Sequence, residues 1–156
     1  MSRIFVTIFL SLFTFTAFAQ SKSTYPNFSF YDLEGKVASS DMLDRSKPTF
    51  IMQFDPYCDH CSEQAEMIAE AAEQFKNVQF VFVTFIPEPE AIKNFEKQHF
   101  EGKELDVHFF QDLDFQFETY FGYSETAISI FLYKPGKKQP KFFGKEVPVE
   151  TLLNYL

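Results

Sequence analysis

Three consecutive segments restrict how this chain can fold. Thr49–Phe54 is apolar, residues 58–75 carry a helical repeat, and Val78–Phe85 is apolar almost throughout. Unbroken apolar strands are those covered on both faces. Two of them joined by a connection too long for a hairpin make a parallel β-α-β unit. The joint between the first strand and the helix is Phe54-Asp55-Pro56-Tyr57-Cys58-Asp59-His60-Cys61, and it holds both cysteines of the chain.

A helix beginning at Cys58 places a thiol against unpaired backbone N–H groups and the positive end of the helix dipole, which favours its thiolate. The thiolate is the reactive form of cysteine. Cys61, Ala65, Ile68, Ala72 and Phe75 share one apolar face, while Glu63, Glu66, Glu70 and Glu73 share another. Cys61 therefore falls on the buried side and Cys58 at the opening. One thiol able to attack and one sheltered to resolve is what dithiol–disulfide exchange requires. A structural staple is the competing reading, but so small a loop removes little chain entropy and stabilises weakly.

Residues 1–19 stand apart from the fold. Arg3 is followed by the apolar or hydroxylated run Ile4–Phe18, and Ala17-Phe18-Ala19 is an A-x-A cleavage pattern. The run is short for a span of about 20 residues and lacks a basic stop-transfer cluster, so it is predicted to be a cleaved signal peptide leading to a periplasmic or secreted protein without a membrane anchor. Cleavage after Ala19 leaves 13 basic against 22 acidic residues, a net of −9. That balance argues against nucleic acid or an anionic membrane surface as partner. With 23 Phe and no Trp, the core of one domain must be built mainly from phenylalanine.

The remaining pattern reads in order. Residues 20–27 are a flexible lead and 28–156 the domain. Phe28 to Val37 forms a small hairpin around Leu33-Glu34-Gly35-Lys36, and one helical turn follows within Ser39–Leu43, capped by Ser39 or Ser40. After Pro89, Glu90–Phe100 is a helix and Leu105–Phe110 a strand. Asp112–Phe121 is a short helix capped by Asp112 or Asp114. Ile128–Tyr133 and Lys141–Phe143 make a second hairpin, and Val149–Leu156 a last helix.

In this order the chain resembles the thioredoxin superfamily, and within it the exported TlpA-like branch. The likeness rests on the cysteine segment, the N-terminal hairpin, the helix inserted after Pro89 and the hairpin at Phe131-Leu132-Tyr133-Lys134-Pro135-Gly136-Lys137. It implies an α/β fold with a central mixed sheet flanked by helices and an N-terminal β-hairpin extension. It further implies Cys58 as nucleophile and Cys61 as resolving thiol. The activity implied is thiol–disulfide oxidoreduction on protein thiols and disulfides. The electrons come from a redox partner and no cofactor is needed; a monomer is expected. The alternative is a non-catalytic thioredoxin-like binding module using the edge near Ala127.

Two positions depart from the family. Its cis-proline falls here at Ala127, after Thr126, and a cis bond before a non-proline residue costs about 2.5–4 kcal/mol, so a trans bond is expected. Met52 occupies the place of the buried acid many thioredoxins carry. Glu88 is then the candidate proton acceptor for Cys61, weighed against an ordinary solvated loop acid, which the sequence favours. His60 tunes the pair: protonated, it stabilises the Cys58 thiolate and makes the disulfide a better oxidant, while Asp59 and Glu63 oppose it. Disulfide isomerases and periplasmic oxidases share a His before the second cysteine, so His60 tilts towards oxidation or isomerisation and the branch towards reduction. Tyr57, Thr126 and Ala127 border the expected substrate contact. His99 and His108 read as packing or surface residues. No metal is assigned, because a zinc site through Cys58, His60 and Cys61 lacks a second C-x-x-C.

Overall fold

The computed structural model describes residues 22–122 and 128–156. The signal-peptide reading of residues 1–19 and the Thr126–Ala127 bond both lie outside the described residues. Within them, β1 (Ser29–Tyr31) and β2 (Val37–Ser39) form the N-terminal hairpin, followed by a 3-10 turn at Ser40–Met42 capped by Ser39. Then come β3 (Thr49–Gln53), α1 (Asp59–Glu70), a 3-10 turn at Ala72–Phe75, β4 (Gln79–Thr84), α2 (Pro89–Phe100) and β5 (Asp106–Gln111). The chain closes with α3 (Phe117–Phe121), β6 (Ser129–Tyr133), β7 (Lys141–Phe143) and α4 (Val149–Asn154).

The strands form one mixed sheet in the order β2-β1-β5-β4-β3-β6-β7. β3, β4 and β5 run parallel, while β6 pairs antiparallel with β3, Thr49 opposite Tyr133. The alternation of side chains along each strand splits the phenylalanines into two cores. Phe50, Met52, Phe80, Phe82, Phe109, Ile130 and Leu132 face the side where α1, α2 and α4 pack. Ile51, Val81, Val83, Phe110, Phe131 and Tyr133 face the side closed by α3 and the N-terminal segment. Neighbours in register stack: Phe50 on Phe80 at 5.3 Å between ring centroids, Phe82 on Phe109 at 5.0 Å. Such pairs add roughly 0.5–1.5 kcal/mol beyond the area they bury.

Three boundaries differ from the sequence reading. The helix after the cysteines is α-helical only to Glu70 and tightens into a 3-10 turn that drives Phe75 into the core. The short helix expected over Asp112–Phe121 begins at Phe117, because Asp112 accepts the Gln116 and Phe117 backbone N–H groups, each at 2.8 Å, across an intervening turn. Within the expected flexible lead, Ser23 and Tyr25 are buried. Tyr25 is buried beneath Arg45, whose guanidinium lies 4.1 Å from the ring centroid and donates to the Tyr25 carbonyl at 2.8 Å. A tyrosine ring carries enough apolar area to anchor a segment whose other residues are polar.

Candidate active site

β3 delivers the cysteine loop to the carboxyl end of the sheet. The Phe54 N–H donates to the Val83 carbonyl at 3.0 Å, prolonging the pairing with β4 by one residue. Asp55 then organises the turn: its carboxylate accepts the Tyr57 N–H at 2.8 Å and its carbonyl accepts the Cys58 N–H at 3.1 Å. Such a turn, closed by an aspartate side chain two residues upstream, is one that Asp and Pro favour. Cys58 is the N-cap of α1, and its carbonyl accepts the N–H groups of Cys61 and Ser62, each at 3.1 Å. Its side chain makes no capping hydrogen bond, so the sulfur sits at the helix mouth.

Both cysteines are free thiols, Cys58 partly exposed and Cys61 only 1% exposed. Burial pushes the Cys61 thiol up to about 12; a hydrogen bond from the Asp55 backbone N–H acts in the opposite direction, and its hydrogen bond with Cys58 adds to the rise. Cys61 therefore holds its proton at neutral pH. This is the exposed and sheltered pair that the helical repeat indicated.

His60 points outward between two carboxylates. Its Nδ1 lies 3.6 Å from Glu63 Oε2 and 3.6 Å from Glu146 Oε1. Glu63 was legible as the neighbour one turn along, whereas Glu146 comes from the loop between β7 and α4. That loop is fixed by fully buried Gln64, whose side-chain oxygen accepts the Val147 N–H at 2.8 Å. Tyr57 is 64% exposed and its hydroxyl donates to Glu88 at 2.6 Å, which raises the phenol above its ordinary range. Glu88 accepts from Tyr57 at the surface, and the Asp55 backbone N–H hydrogen-bonds the Cys61 sulfur. Thr126 and Ala127 lie outside the described residues.

The other histidines are elsewhere. His108 contacts Asp106 at 2.9 Å on β5. His99 packs on Phe95 at 4.6 Å, on the side of the core where α1 and α2 meet. No group of three or more His, Cys, Asp or Glu among the described residues is arranged to hold a metal ion.

Solved structures share this architecture. A secreted Mycobacterium tuberculosis disulfide oxidoreductase homologous to E. coli DsbE superposes with a TM-score of 0.65 at 17% identity, over 83% of this chain and 96% of that one. A candidate thioredoxin from Neisseria meningitidis gives 0.64 at 26% identity, over 86% and 87%. The fold is thioredoxin-like. The same fold is found in Arabidopsis thaliana ScoI with copper bound, at a TM-score of 0.64 and 19% identity over 83% of this chain and 93% of that one. No family model and no curated protein matches the sequence. Structural neighbours named as thiol–disulfide oxidoreductases extend to Bacteroides fragilis. Because one thioredoxin-like scaffold carries different chemistries, the residues at the mouth of α1 must argue the function.

Proposed function

We propose that this chain is an exported thiol–disulfide oxidoreductase acting on protein substrates. The observation that carries the reading is the inequality of the two sulfurs: Cys58 partly exposed at the start of α1, Cys61 buried behind it and protonated up to about pH 12. The Cys58 thiolate attacks a substrate disulfide, forming a mixed disulfide and releasing one substrate thiolate. Cys61 then gives up its proton and attacks the Cys58 sulfur, closing the Cys58–Cys61 disulfide and releasing the second substrate thiol. The substrate gains two electrons and the protein loses two. A redox partner restores the dithiol, and the steps reversed oxidise a substrate dithiol.

Each neighbouring residue has a role in this scheme. Asp55 holds the loop through the Tyr57 N–H, and its own backbone N–H steadies the Cys61 sulfur as its proton leaves. His60 sets the charge near Cys58, tempered by Glu63 and Glu146, and Tyr57 lies on the contact surface. Glu88 positions Tyr57 through their 2.6 Å hydrogen bond. In this reading Thr126 and Ala127 also contact substrate. The amino-terminal 19 residues act as a cleaved signal peptide, directing a monomer to the periplasm or the outside.

Trapping tests the reading. Cys61→Ser should accumulate mixed disulfides with exported proteins through Cys58, and Cys58→Ser should accumulate none. A pair that resists glutathione and traps nothing fits a binding module instead.

A further inference from the structure

The carboxyl end of the sheet carries a second feature that the cysteine chemistry does not use. Phe85, just past β4, and Phe115, past β5, stack at 6.3 Å with 43% and 72% of their surfaces exposed, and half-exposed Leu113 accompanies them. Between the rings and α3 runs a cleft of about 320 Å³, lined by Gln53, Phe85, Asp112, Phe115, Phe117 and Glu118. Gln53 is the last residue of β3, five residues before Cys58. At full extension five residues reach no more than about 18 Å, so one bound segment of about six residues spans cleft and sulfur.

The platform is built. Phe115 has φ +53°, the one non-glycine residue with positive φ among the described residues, a conformation disfavoured for any side chain with a β-carbon. Asp112, 4% exposed, holds it there by accepting two backbone N–H groups beyond it. The Asp112 N–H donates to the Thr84 carbonyl at 2.7 Å, and the Gln111 side chain donates to the Ile86 carbonyl at 2.9 Å, tying the two loops together. A turn serving stability alone gains nothing from a strained, outward-facing phenylalanine; strain held in place by buried groups is characteristic of recognition sites.

Charge indicates what lies on it. This end of the molecule, formed by residues 53–62, 85–92 and 112–122 with the β1–β2 turn and the β7–α4 loop, carries Lys36 and Lys145 against Asp32, Glu34, Asp55, Asp59, Glu88, Glu90, Asp112, Asp114, Glu118 and Glu146. Lys93, just beyond, is paired with Glu90 at 2.9 Å. Basic residues gather at the opposite end: Arg45 and Lys47 before β3, Lys76 before β4, and Lys134, Lys137 and Lys138 after β6. The excess of carboxylates at the cysteine end draws cationic partners to it.

We propose that the Phe85–Phe115 platform seats an aromatic or large aliphatic side chain of an extended, basic polypeptide whose cysteine reacts at Cys58. This rests on the oxidoreductase reading and names the substrate class. The test uses three peptides, each supplied as its mixed disulfide with glutathione: one with Phe five residues from its Cys and Lys beside it, one with Ser for the Phe, one with Glu for the Lys. Rates of attack at low salt are measured for the wild type, Phe85→Ser and Phe115→Asn, each divided by the same protein's rate with glutathione disulfide. Asn tolerates the left-handed backbone. The expected result is about a tenfold preference for the Phe and Lys peptide, falling towards parity in both variants. Parity in the wild type, or an undiminished preference in both variants, overturns the proposal. A wild type inert even to glutathione disulfide overturns the oxidoreductase reading, and this proposal with it.

Discussion

Glu146, in the loop between β7 and α4, lies 3.6 Å from His60, a residue 86 positions away in the sequence and adjacent to the buried Cys61. Its carboxylate adds negative charge near the mouth of α1, which opposes a thiolate there. Removing it should therefore stabilise the reduced form and make the disulfide more oxidising. Both partners are solvent-accessible, so Glu146→Gln should raise the reduction potential by only about 5–20 mV at low salt and less in 1 M salt. Equilibration with glutathione buffers measures it; a fall in potential contradicts the arrangement.

Cys61 gives a pH dependence of stability. Its folded-state thiol titrates near 12, above the ordinary cysteine range near 8.5. The folded state therefore keeps a proton that the unfolded chain gives up, and the stability this confers is present below about pH 8.5 and lost as pH rises towards 12. Thermal unfolding of the reduced protein should show Tm falling above about pH 9, with a shallower fall in Cys61→Ala.

His99 acts at the other end of the scale. Its Nε2 is buried without a hydrogen-bond partner, and burial lowers its pKa, with Glu66 opposing. Glu66, Glu70 and Lys103 line the cleft beside it. Because the folded pKa lies below the ordinary His value of about 6.5, stability is full above that pH and declines as pH falls through the folded value. The loss of Tm between pH 7 and 5 should be smaller in His99→Leu than in the wild type.

The turn at Phe115 should separate stability from recognition. Asp112→Ala leaves two backbone N–H groups without their acceptor and should cost about 2 kcal/mol in denaturant unfolding. Phe115→Gly removes the strain of a left-handed phenylalanine, against the extra chain entropy of glycine, and should stabilise by up to about 1 kcal/mol. A loss of stability in Phe115→Gly contradicts the strain.

What the sequence made legible is local. Apolar runs at Thr49–Phe54 and Val78–Phe85, with a helical repeat between them, specified the parallel unit; the same repeat placed Cys61 inside and Cys58 at the opening. The helix expected from Glu90 begins one residue earlier, at Pro89, because its missing N–H is one the helix does not need there. What escaped depends on distance along the chain. Glu146 meets His60 only through Gln64, a polar residue on the helix whose burial the periodicity could not single out. Glu88 was the candidate acid for Cys61; its carboxylate accepts from Tyr57, and the group the sequence did not single out is the Asp55 backbone N–H, which hydrogen-bonds the Cys61 sulfur. The Asp-Pro dipeptide was the available signal, since it marks a tight turn that brings the aspartate's own backbone onto the following helix.

The most direct measurement is the rate of alkylation of each cysteine in the reduced protein at pH 7, followed by mass spectrometry of the peptides carrying Cys58 and Cys61. The unequal burial of the two sulfurs predicts modification at Cys58 at least about 100-fold faster than at Cys61, which a protonated, 1% exposed thiol makes slow. Equal rates, or faster reaction at Cys61, would contradict it.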